Sequence, residues 1–524
     1  MALGVAQAQQ RFENPRAILG ERLREGSIYR LLADEGHRLF PDDYFADLHK
    51  DSARGRPTVP ARVLATVMVL QAFEGLSDRE ATDRLEVDLR WQAAAGVDVG
   101  TEAFHPTVLV GQRNRLRTSE QPRRLFDDTK VVAKAAGALR GRARVLDSTP
   151  LYDSVATQDT VTQLRAAIRK LLVVLDNTDP ALAARARAAL ARDDDYATAG
   201  KPPCDWDDPA AREALVDELV HDALAALAVI DGAELTVLAR DAAGLLALVA
   251  GQDVAEGDDG VFRIVRGVAR DRVISTVDPE ARHGHKSRNR RFDGYKTHAS
   301  IDPDSELIDE VVATPANVSD RDVVEDLLAP SAGDEDKPEV VGDSAYADGA
   351  TRQRLGEAGY RIRAKVPPAR NAGGRFPKDR FSIDLAAGTV TCPANQTASI
   401  SASRGGGGKA NFAPHCATCP LRPDCTTART GRSVTIHRYE DLLAAARAEQ
   451  LTPEWAEAYR GDRPIVERKI AHFVRRMWGG RKARCRGLTR ISTDVDTRAG
   501  ALNLARLAVL GVTWSGGSWT MAGA

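Results

Sequence analysis

Apolar and polar positions alternate with different periods along the chain, and the changes of period divide it. Residues 1 to about 130 carry helical spacing. The stretch PARVLATVMVLQAFEGLSDREATDRLEVDLRWQAAAG predicts two helix-length segments, with Gly75 ending the first. Ser77, with Glu80 three positions on, is a capping-box start for the second. A short helix-turn-helix of this kind can enter a DNA groove, and the same spacing also suits an ordinary helical hairpin.

Near residue 142 the pattern turns to strand. RARVLDSTP (142–150) drives an apolar run, Val145-Leu146, into the carboxylate of Asp147. From 156 to 261 long amphipathic helices return, including VTQLRAAIRKLLVVLD and AREALVDELVHDALAALAVI. Strand texture resumes in RVISTV (272–277), GYKTHASID (294–302) and ELIDEVVAT (306–314). PEVVGD (338–343) is a further short apolar strand, and it too ends in an acid, Asp343. Helix follows in DGATRQRLGEAG and strand in YRIRAKV, so the elements predict a mixed sheet flanked by helices.

Residues 369–437 are rich in Gly and Cys, and helix resumes from about 440. The tail SGGSWTMAGA is expected to be disordered. The expected units are a helical domain at 1–130, a sheet domain split into 131–155 and 262–385, and an acidic helical insert at 156–261. A Cys-rich insert at 386–437, closing helices at 438–512 and a tail at 513–524 complete the list.

Composition narrows the class. The chain has 524 residues, 43% hydrophobic and 28% charged, which suits a globular protein of several domains. No basic start followed by an apolar run marks export, and the longest apolar stretches are too short or too interrupted to span a bilayer. The expectation is a cytoplasmic protein without membrane contact, in which cysteines are thiols or metal ligands.

The net charge of −1 names no partner, but its distribution does. Residues 191–260 hold 17 acids against 4 Lys or Arg, whereas residues 462–490 hold ten Lys or Arg against two acids. The acidic block reads as a solvated helical insert. The basic segment, with Arg463, Arg468, Lys469, His472 and Arg475, is a candidate nucleic-acid contact. Two further basic stretches are candidates of the same kind. One is GQRNRLR, with Arg113 and Arg115; the other is ARHGHKSRNRRFDGYKTH, with Arg288, Arg290, Arg291 and Lys296. The second is expected to track a DNA backbone, with a mobile, solvated loop as the alternative.

Within the basic segment stands one carboxylate, Glu467. Val466, Ile470, Phe473, Val474 and Met477 form one apolar stripe, with Glu467 at its edge. Asp462 is read as the helix cap, and Pro464 falls in the first turn. Three carboxylates, Asp147, Asp343 and Glu467, can hold hard divalent cations such as Mg²⁺ together with phosphate oxygens. Two such ions suit in-line phosphoryl transfer.

At these residues the sequence resembles a family, the bacterial insertion-sequence transposases of the DDE type. The carrying segments are VLDSTPLYDSVATQDTVTQLR, GYKTHASID…EVVATPANVSD, VVGDSAYAD, RPIVERKIAHFVRR and the early GRPTVPARVLATVMVLQAFEGLSDREA. The resemblance implies an RNase H-like catalytic fold behind a helical N-terminal domain, with Asp147, Asp343 and Glu467 as the metal-binding triad. It also implies two Mg²⁺ or Mn²⁺ ions, double-stranded DNA (the element's terminal inverted repeats and a target) as substrate, and a homodimer in the synaptic complex. Related transposases often show Tyr-x2-Arg-x3-Glu-x6-Lys around the third acid. Here Arg463 is in place, Tyr459 sits one residue further out, and Val474 holds the Lys position with Arg475 beside it.

Cys392, Cys416, Cys419 and Cys425 are spaced C-x23-C-x2-C-x5-C. Four thiols suit a structural tetrahedral Zn²⁺, with His415 a possible substitute; four unliganded cysteines are the plainer alternative. The activities left open are transposition, sequence-nonspecific cleavage by a Mg²⁺ nuclease on the same fold, and DNA binding without catalysis.

Overall fold

The computed structural model describes residues 14–49, 58–267, 269–287, 289–368, 372–475 and 480–522. Arg288, Met477 and Trp478, singled out above or near those that were, lie outside them.

The N-terminal helices pack around Ala61–Glu74, which is apolar on every side and buried from Val63 to Gln71. Gly75 closes it at φ 71, and Ser77 and Glu80 form the reciprocal capping box that the sequence predicts. The helical layer runs past the expected boundary at 130, since its last helix spans Arg124–Ala135.

The central sheet is built from β1 (Ala143–Tyr152), β2 (Arg282–Ser287), β3 (Arg290–Ile301), β4 (Ile308–Pro315), β5 (Glu339–Gly342) and β6 (Ile362–Ala364). Its order is β4-β3-β1-β5-β6, with β2 also pairing β3. The first hairpin steps are antiparallel, β1 with β3 and β3 with β4, while β1, β5 and β6 run parallel. This mixed topology is RNase H-like, as expected. β3 crosses β1 so closely that a Cβ on Gly294 (φ 129) would stand 2.5 Å from both Asp153 N and Leu151 O.

β1 does not end at Asp147, as the sequence suggested, but runs on to Tyr152. Antiparallel pairing with β3 covers Val145–Tyr152, whereas parallel pairing with β5 stops at Val145. Pro150 is therefore tolerated, because β1 has a neighbour on only one side there.

Helices Thr160–Thr178, Pro180–Ala188, Pro209–Ile230 and Val237–Gln252 form the insert between β1 and β2, around a core of their own that includes Leu164, Leu171, Leu219 and Leu246. A hairpin, Val254–Glu256 with Phe262–Ile264, carries this unit across the expected boundary at 261. The Cys-rich unit is a five-stranded antiparallel sheet that starts at Ser382, before the expected 386.

Two readings near the C-terminus are corrected. Asp462 does not cap a helix: the helix is Pro453–Phe473, capped by Thr452, and the Asp462 carboxylate instead pairs with Arg142 and Arg363. The tail is ordered through residue 522. Thr513–Ser515 and Ser518–Thr520 form a hairpin with Trp514 edge-on to Trp519, and Glu35 accepts hydrogen bonds from Thr513 and Trp514.

Candidate functional site

β1 and β5 are in parallel register, Val145 opposite Val341. The strand β5 ends at Gly342, so Asp343 is the first residue past it, and its charge is felt at Asp147. Side chains alternate along β1. Asp147 faces the helix Pro453–Phe473, and Ser148 faces the other way, donating to Asp320 at 2.9 Å.

The helix meets the middle of β1 and the end of β5. Arg463 donates to the Leu146 carbonyl at 2.8 Å and pairs with Asp147 at 3.1 Å and Glu467 at 3.7 Å. One turn earlier, the Tyr459 hydroxyl donates to the Gly342 carbonyl at 3.2 Å. Each accepting carbonyl belongs to the residue just before an acid of the pair. Tyr459, Arg463 and Glu467 lie four apart, so they share one helix face. Burial raises the Tyr459 pKa, and the charges of Asp343, Glu467 and Asp147 add to that effect. Each of the three acids thus acts on the Tyr459 hydroxyl.

Their environments differ. Asp147 is mostly buried, and burial raises its carboxyl above the ordinary range against the pull of Arg463; the like charge of Asp343 adds to the rise. Asp343 accepts the Ala345 N–H at 2.8 Å. The Glu467 side chain is 63% exposed. The donor set is of the right kind for a hard divalent cation, but Arg463 bridges it. Among the described residues no group of three His, Cys, Asp or Glu side chains is arranged to hold a metal ion.

Beneath Asp147 lies a polar network that the sequence reading missed. Lys296 contacts Asp320 at 2.9 Å, His298 lies 3.4 Å from the Tyr346 hydroxyl, and Tyr346 is fully buried. Burial lowers the His298 pKa to about 4. The alternation Lys296-Thr297-His298 on a central strand was the available signal.

The basic candidates separate. Lys296 is not a free surface cation, because Asp320 and the Val318 carbonyl hold it. Lys469 is buried near Glu306, and burial pushes its pKa down to about 8, so it is not a surface DNA contact either. Arg468 is half-exposed but paired with Glu306. Arg463 belongs to the acid site. Arg113 pairs with Asp78, and Arg115 with Gln112. His472 is half-buried at the end of the helix, whereas Arg475, Arg290 and Arg291 are exposed.

Cys392, Cys416, Cys419 and Cys425 line one cavity of about 20 Å³ with His415, and all four are free thiols. Burial raises the Cys425 thiol, and the other three cysteines add to the rise.

Among the described residues no helix is long and apolar enough to cross a membrane. Residues 391–508 match the family model described as a transposase DDE domain, and residues 19–115 match the transposase domain DUF772. Glu467 and the four cysteines lie inside the first match; Asp147 and Asp343 lie outside both. No curated protein and no solved structure matches the chain. The two matches bear out the resemblance to insertion-sequence DDE transposases.

Proposed function

We propose that this chain is an insertion-sequence transposase that cuts DNA at its element's terminal inverted repeats and joins the freed ends to a target. The observation that carries the reading is the approach of Asp147, Asp343 and Glu467 around Arg463 and Tyr459. Asp147, Asp343 and Glu467 would hold two Mg²⁺ or Mn²⁺ ions. When bound, such ions supply activation of the attacking oxygen and stabilisation of the leaving one.

The chain's own residues do the rest. Tyr459 and Arg463 pin the helix to the carbonyls before the two aspartates, which sets where Glu467 stands. Arg463 balances the buried charge of Asp147. The exposed Arg290, Arg291 and Arg475 would meet phosphates, and the helical layer would supply end recognition. The proposed synapse has two subunits. The four cysteines would hold a structural Zn²⁺, which closes a tetrahedral site and takes no part in the chemistry.

The deciding experiment uses Asp343→Asn on a duplex carrying the terminal repeat with Mg²⁺ present. The expected result is retained binding and no cleavage, with wild-type cleavage and joining abolished by a chelator. Wild-type cleavage of any duplex without joining would favour a nuclease. Wild-type binding without cleavage would leave a DNA-binding protein.

A further inference from the structure

A second basic site lies away from the three acids. The helix Thr107–Thr118, the start of the helix Asp78–Val87 and the segment 484–497 enclose a cleft of about 640 Å³. Arg79, Arg113, Arg117, Arg484 and Arg490 line it against two acids, Asp78 and Asp494. Both acids already have partners: Asp78 pairs with Arg113 at 2.5 Å, and Asp494 with Arg498 at 2.8 Å.

Four guanidiniums are left without a salt bridge among the described residues. Arg117 donates to the neutral amide of Asn114, and Arg484 to the Leu76 carbonyl. Arg117 is half-buried inside the cleft, while Arg79, Arg484 and Arg490 are exposed at its rim. Burial lowers the Arg117 pKa, and the like charge of Arg490 adds to the fall. Cations gathered this way repel one another until an anion offsets them. Arg481, Lys482 and Arg486, exposed and within three residues of Arg484 in the chain, add to the positive charge of this segment, which suits a polyanion better than a single small anion.

We propose that this cleft holds the sugar–phosphate backbone of duplex DNA and ties the N-terminal helical layer to the segment that follows the Glu467 helix. The proposal rests on the transposase reading. Backbone contact predicts affinity without base preference and a strong dependence on salt.

The test is fluorescence anisotropy with two duplexes of equal length, one carrying the terminal repeat and one unrelated, titrated across a range of salt. In an Arg117→Gln/Arg490→Gln variant both duplexes should weaken equally. The slope of log affinity against log salt should fall by about two, since each lost phosphate contact removes about 0.9. The Arg117→Lys/Arg490→Lys variant should keep the slope. Arg263→Gln, which removes one positive charge elsewhere, is the control, because Arg263 is held by Asp259 and Glu213 in the insert; it should change nothing. If the double variant fails to fold, Arg79→Gln alone, at the exposed rim, should lower the slope by about one. An unchanged slope and affinity, with the wild type binding, overturns this inference and leaves the transposase reading standing. Loss confined to the repeat duplex also overturns it, since that is base readout. A wild type that binds neither duplex overturns both.

Discussion

The Tyr459 hydroxyl donates to the carbonyl of Gly342, the residue before Asp343. One turn on, Arg463 does the same to Leu146, the residue before Asp147. The helix thus holds the middle of β1 and the end of β5 with two side chains and offers Glu467 with the next.

Arg463 reaches a backbone carbonyl and two carboxylates at once, which a planar fork of five donors can do and a point-like ammonium cannot. Arg463→Lys should therefore behave nearly as badly as Arg463→Ala. In both, cleavage of a repeat-bearing duplex should fall by on the order of a hundredfold, since small displacements of reacting groups cost that much. A Lys variant with close to wild-type cleavage would show that charge alone suffices.

Tyr459→Phe removes one hydrogen bond and no packing volume. Urea unfolding should show a loss of about 1 kcal/mol. Cleavage should fall several-fold and not vanish, because Arg463 still holds the helix. An unchanged rate would mean that the hydroxyl contributes stability alone.

Lys469 is buried beside Glu306, which also has Arg468 and Arg506 nearby. Burial lowers its pKa from 10.5 to about 8. The fold favours the neutral amine, so this group's contribution to stability is present above 10.5 and is lost as pH falls through about 8. At neutral pH the buried charge is a cost. Lys469→Met should raise stability at pH 7 by on the order of 2 kcal/mol, with the gap closing as pH rises through that window. Denaturant midpoints at pH 7 and pH 10 check it. A less stable variant at pH 7 would mean that Glu306 needs its third cation.

If the four thiols hold a metal, the purified chain should carry about one equivalent of zinc by elemental analysis. A chelator should lower the melting temperature, and Cys419→Ser should reduce the zinc content. Metal-free protein with an unshifted melt would leave four plain thiols around a small cavity.

Much of this was legible in the residues. An apolar run that ends in Asp marks the end of β5 at Gly342, and the capping box at Ser77 is local chemistry that needs no partner. What escaped was long-range. The continuation of β1 through Pro150 depends on β3, more than a hundred residues later in the chain. Asp462 has the look of a cap because Pro464 follows closely, yet Arg142 and Arg363 claim it from two distant strands' surroundings. Tyr459 stands one residue outside the family spacing. On a helix, however, three and four residues fall on the same face. Lys296 and Lys469 look like surface cations in sequence, since only the fold reveals their carboxylate partners.

The helix Leu488–Val509 puts Leu504 and Leu507 into the N-terminal core and Ile491, Val495 and Ala499 into the sheet core. Asn503 bonds both Thr129 and Ile308, and the hairpin after it reaches Glu35. Both cores share this one helix, so neither is complete without it. A chain cut before Leu488 would leave two unfinished cores where most truncations spoil one.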